Sequence, residues 1–78
     1  MSARVTLYGK PGCHLCDDAL DVVAAVCAAS GSDYELVDID SQPDLREKYG
    51  DKVPVVTVDG AVAGFWHIDK DVLTQALA

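Results

Sequence analysis

Cys13 and Cys16 are separated by two residues, and this spacing serves either disulfide exchange or one half of a metal site. The stretch before the pair is β-rich and ends in a loop of glycine and proline, whereas a helical pattern begins at Cys13. A Cys-x-x-Cys pair between a strand and a helix is typical of thiol redox proteins. We therefore predict dithiol–disulfide exchange at Cys13 and Cys16.

The two thiols are expected to have different roles because they occupy different positions on the predicted helix. Cys13 stands at the helix N-terminus, where unpaired N–H groups and the helix dipole favour a thiolate, so it is the predicted nucleophile. Cys16 lies nearly one turn further on. From there it can attack a mixed disulfide at Cys13 and release the reduced product, which makes it the predicted resolving cysteine.

Charged neighbours act on the thiolate in opposite directions. Lys10, on the loop before the pair, supports a thiolate or meets an anionic substrate, and a protonated His14 stabilises the same thiolate. Asp17 and Asp18 act against it, because nearby negative charge disfavours a thiolate. The sequence leaves the net effect open, and Lys10 and His14 are predicted to contact the substrate.

A metal site at the pair needs two further ligands, and the remaining histidines and cysteines are His14, Cys27 and His67. Cys27 falls on the apolar face of the predicted helix, where a cysteine acts as a small buried hydrophobe. We predict no metal ligands and no bound cofactor. Two alternatives stay open, namely carriage of a metal or iron–sulfur cluster with Cys13 as a ligand across a dimer, and a non-catalytic binding module on the same fold.

Seven elements in the order βαβαββα are predicted to position the pair. The predicted strands are residues 5–8, 34–40, 53–58 and 61–66, and the predicted helices are residues 13–30, 42–50 and 70–77. The first βαβ unit is expected to be parallel with a right-handed crossover, and the closing hairpin is antiparallel. The sequence therefore predicts an α/β fold with a four-stranded mixed sheet flanked by three helices, in one domain spanning residues 1–78.

Turn and capping residues mark the ends of these elements. Gly31 is the predicted left-handed cap of the first helix, and Ser41 and Asp69 are predicted N-caps of the other two. Asp59-Gly60 is the strongest short hairpin signal. The residues predicted to face inward are apolar and recur at helical spacing: Cys16, Ala19, Leu20, Val23, Val26 and Cys27 on the first helix, and Val72, Leu73, Ala76 and Leu77 on the last.

Composition limits the expected partners and location. The chain carries a formal net charge of -7, whereas phosphate binding needs clustered lysine and arginine, so we predict no nucleic-acid partner. No apolar run approaches the ~18 residues that a membrane helix needs. Residues 1–4 leave no room for the apolar region of a signal peptide before the first strand. A cytoplasmic monomer without membrane contact is therefore expected.

Three stretches together resemble one known family. They are Lys-Pro-Gly-Cys-His-Leu-Cys at residues 10–16, Val-Pro-Val-Val at residues 53–56, and the Asp-Gly hairpin at residues 59–60. Their order and spacing are similar to the glutaredoxin-like branch of the thioredoxin superfamily, and most similar to small glutaredoxin-like domains with a Cys-His-Leu-Cys motif. The resemblance implies a thioredoxin-like fold with a cis Val53-Pro54 bond beside the cysteines. It also implies that the backbone of Val53 pairs with a substrate peptide or glutathione.

The segment after the hairpin differs from the usual glutaredoxin pattern. Glutaredoxins typically carry Pro-Tyr between the cysteines and a Gly-Gly-Cys-Asp type segment that holds glutathione, whereas this chain has His-Leu and, at residues 64–67, Gly-Phe-Trp-His. Gly64 alone fits and is a predicted substrate-binding residue. The redoxins that take electrons from thioredoxin reductase have a late Gly-Phe element similar to Gly64-Phe65.

The resemblance thus implies a substrate that is a disulfide-containing protein or a small disulfide. It implies glutathione or a thioredoxin-reductase system as the electron donor. Two residues of the differing segment carry further predictions. Trp66 is predicted to fill the core between the last strand and the last helix, with an apolar wall near the cysteines as the alternative. His67 is predicted to lie at the surface.

Overall fold

A computed structural model of the protein describes residues 4–78. The prediction that concerned the start of the chain falls mainly on residues 1–3, which lie outside the described residues. The elements follow one another in this order: strand β1 (Val5–Gly9), helix α1 (His14–Ser30), strand β2 (Tyr34–Asp38), a 3-10 turn (Ile39–Ser41), helix α2 (Pro43–Tyr49), strands β3 (Val55–Val58) and β4 (Ala61–Phe65), and helix α3 (Lys70–Leu77). The predicted order βαβαββα is confirmed.

The four strands form one mixed sheet in the order β2-β1-β3-β4. β1 pairs with β2 in parallel, with Leu7 opposite Leu36, and pairs with β3 antiparallel, with Leu7 opposite Val56. β3 and β4 form the antiparallel hairpin. The four-stranded mixed sheet with three α-helices is therefore as predicted, and β1 lies at its centre, so the loop that follows β1 is held by strands on both sides.

Alternate residues of the central strands face two separate apolar clusters, as the two-residue repeat of a strand requires. One cluster joins the sheet to α1 and α3, and its members are Val5, Leu7, Ala19, Val23, Val26, Cys27, Val56, Val58, Leu73 and Leu77. The other lies on the α2 side and consists of Ile39, Tyr49, Val53 and Val55, with Tyr8, Cys16 and Leu45 packed against it. Cys16 therefore lies in the first turn of α1 yet packs against the smaller cluster.

The segment after β2 differs from its prediction. β2 ends at Asp38 instead of residue 40, because the Asp38 side chain accepts a hydrogen bond from the backbone N–H of Asp40 and turns the chain into the 3-10 turn. Ser41 is not the N-cap of α2, since its hydroxyl donates to the Asp38 carbonyl at 2.7 Å. Gln42 occupies the cap without a side-chain bond, and Pro43 starts the helix.

The closing hairpin has the predicted turn but shorter strands. Asp59 and Gly60 both adopt positive φ angles, 52° and 87°, as a two-residue type I′ turn requires. β3 begins at Val55 rather than residue 53, because Pro54 has no N–H to donate to the ladder. β4 ends at Phe65, one residue earlier than predicted.

The predicted caps at Gly31 and Asp69 are confirmed, whereas the inward face of α3 is narrower than predicted. Gly31 ends α1 in the left-handed conformation, with φ 73°. Asp69 caps α3 by accepting from the N–H groups of Asp71 and Val72. Leu73 and Leu77, one turn apart, are buried, but Val72 is 48% exposed, and Ala76 is also exposed. A helix at the edge of a small sheet buries only one stripe.

No helix within residues 4–78 is long and apolar enough to cross a membrane.

Replacing Asp69 by alanine removes the acceptor for two N–H groups at the start of α3. We expect Asp69→Ala to lower the free energy of unfolding by about 1 kcal/mol, because an unsatisfied first turn frays the helix that carries Leu73 and Leu77. Urea unfolding followed by circular dichroism measures this change. Gln75→Ala, at an exposed position of the same helix, is the control and should change stability by less than ~0.5 kcal/mol. Equal losses in both variants would contradict a stabilising role for the cap.

Candidate active site

Cys13 is the N-cap of α1. Its backbone is extended, with φ -95° and ψ 112°, and its sulfur accepts a hydrogen bond from the backbone N–H of Cys16 at 3.2 Å. Serine, threonine, aspartate and asparagine usually take this position, because their side-chain oxygen satisfies an unpaired N–H of the first turn. Here a thiol sulfur takes the place of that oxygen. The predicted helix N-terminal location of Cys13 is therefore present, and the amide that stabilises negative charge on the sulfur is identified.

Cys16 lies beneath Cys13 and is partly buried among the residues of the smaller cluster. Burial is the largest cause that raises the pKa of the Cys16 thiol to about 11, followed by its hydrogen bond with the Cys13 thiol. The negative charge of Asp17 acts in the same direction, and a backbone hydrogen bond at Lys10 opposes it. At neutral pH the Cys16 thiol is therefore protonated.

Gly9, the last residue of β1, contacts the sulfur of Cys16 closely. A Cβ atom built at Gly9 would lie 3.1 Å from Cys16 Sγ and 3.4 Å from Cys16 Cβ. Glycine at this position therefore lets the second cysteine pack directly over the end of the central strand. Gly9 is not among the predicted site residues, although a glycine in a strand is a known sign of close backbone approach.

The Val53-Pro54 segment has the cis peptide bond that the resemblance implied, and its Val53 lies in the cluster against which Cys16 packs. Val53 and Pro54 are both buried. The Pro54 carbonyl accepts a hydrogen bond from the N–H of Trp66 at 2.9 Å. Within residues 4–78 Val53 itself makes no backbone hydrogen bond outside the regular elements, so its amide and carbonyl are left for another partner.

The other residues predicted to contact the substrate are Lys10, His14 and Gly64, and they lie on different elements. His14 is the exposed first residue of α1, directly after Cys13, and Lys10 is exposed on the preceding loop. Gly64 lies inside β4 opposite Val56, and a Cβ there would meet the Ile68 side chain at 3.6 Å. The structure thus brings Lys10 and His14 to the cysteine loop, and it gives Gly64 a neighbour in the segment before α3.

An apolar groove of about 220 Å³ borders Cys16 on the β2 side. Its walls come from β1, β2, α1 and the loop before α1, and its lining residues are Leu7, Gly9, Lys10, Pro11, Cys16, Asp17, Leu20, Leu36, Val37 and Asp38. The charged groups at this groove are two carboxylates and one ammonium. One side of the cysteine pair is therefore open to solvent through a largely apolar surface.

Trp66 does not fill the core, contrary to the prediction. It follows the last residue of β4 with a φ of 64°, and its side chain is 51% exposed. The positive φ turns the chain away from the strand, and the indole N–H donates to the Asp51 carbonyl at 3.0 Å. The Trp66 ring packs edge-on against Phe65, with 5.2 Å between ring centroids. His67 is exposed, as predicted.

Cys27 lies far along α1 from the pair and is 1% exposed. Burial, and to a lesser extent the charge of Asp33, raises the pKa of the Cys27 thiol. Its surroundings are those of a small apolar core residue, which agrees with its predicted place on the inward face. Among residues 4–78 no group of three or more histidine, cysteine, aspartate and glutamate side chains is arranged to hold a metal ion.

Comparison with known proteins agrees with this geometry. Residues 4–78 match the family model described as Glutaredoxin-like domain (DUF836). An uncharacterized protein of Mycobacterium tuberculosis is 30% identical over 80 residues, which cover 96% of this chain and 82% of that protein. These matches extend over almost the whole chain, so they include the cysteine loop, the Val53-Pro54 segment and the hairpin.

Solved structures give the same result. A solution structure of a Nitrosomonas europaea protein matches with a TM-score of 0.83 and 28% identity, covering 100% of this chain and 94% of that one. An X-ray structure from X. campestris matches with a TM-score of 0.78 and 34% identity, covering 94% and 93%. A glutaredoxin from Archaeoglobus fulgidus, at 21% identity and a TM-score of 0.66 over 96% and 86%, shares the fold. The fold is thioredoxin-like and supports a redox role of that superfamily, and the chain belongs to the glutaredoxin-like domain family (DUF836).

Proposed function

We propose that the protein is a thiol–disulfide oxidoreductase in which Cys13 attacks and Cys16 resolves. The observation that carries this proposal is the unequal placement of the two sulfurs. Cys13 Sγ accepts the Cys16 amide at the start of α1, whereas the Cys16 thiol is held beneath it with its pKa raised to about 11. Only thiolates attack disulfides, so the protonated Cys16 does not compete for the first step.

In the first step the Cys13 thiolate attacks one sulfur of a substrate disulfide. A bond forms between Cys13 Sγ and that sulfur, the substrate S–S bond breaks, and the departing sulfur leaves as a thiolate that takes a proton from water. The N–H of Cys16 points at Cys13 Sγ. It therefore stabilises the negative charge on Cys13 Sγ before the attack.

In the second step Cys16 loses its proton to solvent and attacks Cys13 Sγ. The Cys13–Cys16 disulfide forms, and the substrate leaves as its second thiol. Two electrons have then passed from the protein dithiol to the substrate. The two cysteines are close enough for this step, because the backbone N–H of Cys16 already donates to Cys13 Sγ at 3.2 Å.

The backbone of Val53 is the proposed partner for the substrate chain beside the disulfide. Val53 lies next to Cys16 in the smaller cluster, and its amide and carbonyl have no backbone partner within residues 4–78. An extended substrate segment can bond to such a free edge as an added strand would. Lys10 and His14 are proposed to contact the substrate from the loop side, and Gly64 from β4.

The oxidised protein must then be reduced by an electron donor, for which we propose either glutathione or a thioredoxin-reductase system. Either donor reverses the second step, because an external thiolate opens the Cys13–Cys16 disulfide at Cys13 and frees Cys16. A second donor thiolate then attacks the donor sulfur of this mixed disulfide, so that Cys13 leaves as a thiolate and the donor is oxidised to its disulfide. Consumption of NADPH in the presence of glutathione and glutathione reductase, compared with thioredoxin and thioredoxin reductase, identifies which donor serves the protein.

The assignment of the two cysteines is tested by trapping. With Cys16→Ser, a disulfide substrate should leave a stable mixed disulfide on Cys13, because no second thiol remains to release it. Cys13→Ser should form none and should exchange at least about a hundredfold more slowly, since the thiolate is the nucleophile. Mass spectrometry of the intact proteins measures both results.

Cys27→Ala is the control for trapping, because Cys27 is buried and away from the pair. It should exchange like the unmodified protein. A stable adduct on Cys13→Ser, or the absence of exchange by the unmodified protein, would contradict the proposed function.

The pH dependence of the second step follows from the raised pKa of Cys16. Below a pKa of about 11 the thiolate fraction rises with pH, so release of substrate from a preformed mixed disulfide should accelerate by up to about tenfold per pH unit. Burial persists in the mixed disulfide, and we therefore expect no plateau between about pH 6 and about pH 9. Stopped-flow measurement of thiol release tests this; a plateau near neutral pH would contradict it.

A further inference from the structure

Phe65 and Trp66 expose large aromatic surfaces at the end of β4. Their side chains are 46% and 51% exposed, and their rings contact each other edge-on at 5.2 Å. They are the only phenylalanine and the only tryptophan of the chain. Nothing within residues 4–78 buries this Phe65–Trp66 pair, although aromatic side chains are the largest contributors to most cores. The core thus forms without the two bulkiest apolar side chains available to it.

The exposed position of Trp66 is held by specific contacts. Its backbone N–H donates to the Pro54 carbonyl at 2.9 Å, and its indole N–H donates to the Asp51 carbonyl at 3.0 Å. Its φ of 64° lies in the left-handed region, which a bulky residue seldom adopts. Such conformations persist where surrounding contacts impose them, and they are concentrated at functional sites. Here the contacts fix Trp66 to the loop that packs beside Cys16.

The same surface continues to the cysteine helix through a small notch. Leu15, Val22, Trp66 and Ile68 contribute to its lining, together with the carboxylate-bearing Asp18. Leu15 lies between the two cysteines in the sequence, so the notch lies directly beside the Cys-x-x-Cys turn. A partner whose disulfide reaches Cys13 therefore meets an apolar surface and a carboxylate together.

Charge decides what kind of partner suits this surface. The chain has a net charge of -7, and the polar side chains that line the notch are the Asp18 carboxylate and the His67 imidazole. The faces of aromatic rings also attract cations. A second copy of this chain would carry the same negative charge, and anionic glutathione disulfide is repelled in the same way.

We propose that the Phe65–Trp66 pair and the adjoining notch dock a disulfide-bearing protein segment that has an apolar side chain and a lysine or arginine next to its cysteine. The apolar side chain enters the notch, and the cation lies over the exposed rings. This inference rests on the proposed exchange at Cys13 and names the substrate class of that site. It makes a cationic protein disulfide a better substrate than glutathione disulfide.

Binding is tested without chemistry by a peptide in which serine replaces the cysteine, flanked by leucine and arginines. Trp66 is the only tryptophan, so its emission reports on the surface directly. We expect the emission maximum to move to shorter wavelength, and the twin peptide with glutamate in place of arginine to bind at least about tenfold more weakly. Added salt should weaken the binding of the arginine peptide. Equal binding of the twins, or no emission change with either, would overturn the proposal.

Specificity is tested with the cysteine restored in both peptides and each joined to 2-mercaptoethanol as a mixed disulfide. The unmodified protein should reduce the arginine peptide about tenfold faster than the glutamate twin. Trp66→Ala should bring this ratio close to one, and Trp66→Phe should keep most of it, because an aromatic face remains. Val72→Ala is the control, since Val72 is an equally exposed apolar residue on α3, and it should keep the full ratio.

Charge is tested by Asp18→Asn, which should lower the ratio, against Asp33→Asn at the opposite end of the sheet, which should not. An unchanged ratio in Trp66→Ala would refute docking on the aromatic pair. The two proposals also fail in different ways. If bis(2-hydroxyethyl) disulfide is not reduced at all, the exchange function fails, while the fluorescence titration still decides whether the surface binds the cationic peptide.

Discussion

The hydrogen bond from the Cys16 amide to Cys13 Sγ is the contact on which the rest of the site depends. It makes the sulfur of the proposed nucleophile and the helix cap one and the same atom. A cysteine is not among the residues that cap helices best, so the first turn of α1 gives up a stronger oxygen acceptor. In return, the backbone N–H of Cys16 is directed at the sulfur, where it favours a thiolate. The start of α1 and the reactivity of Cys13 are therefore linked.

The asymmetry between the two thiols follows from how the small domain packs. Gly9 has no side chain, so Cys16 Sγ lies over the end of the central strand, and Val53 closes the same cluster from the other side. The resulting burial raises the pKa of Cys16, whereas Cys13 stands at the N-cap, outside the cluster. Opposite environments therefore arise for two cysteines only three positions apart, because the helix turns one towards the loop and the other towards the sheet.

What the sequence predicted well was encoded locally. The cysteine spacing, the Asp59-Gly60 turn, the Gly31 cap and the Asp69 cap each depend on a few adjacent residues, and the structure contains all of them. The wrong predictions are of two kinds. Some concern side chains that compete for the same backbone hydrogen bonds, and others concern apolar residues that the small core does not cover. Ser41 is not the N-cap of α2, because the Asp38 side chain accepts the N–H of Asp40 in a 3-10 turn and the Ser41 hydroxyl donates to the Asp38 carbonyl. Gly9 was not predicted, because its contact with Cys16 Sγ depends on how α1 packs on β1, and residue spacing does not reveal that packing.

Trp66 and Val72 were predicted to face the core because they are apolar, but both are exposed. Whether a side chain is buried depends on whether another element covers it, and a sheet of four short strands with three helices covers only part of its surface. Leu73 and Leu77 already fill the contact of α3 with the sheet. At the end of β4, a left-handed backbone and two hydrogen bonds fix the indole outside. A domain this small has little apolar surface to spare, and the proposed docking of a partner accounts for the exposure of its largest side chain beside the Cys-x-x-Cys turn.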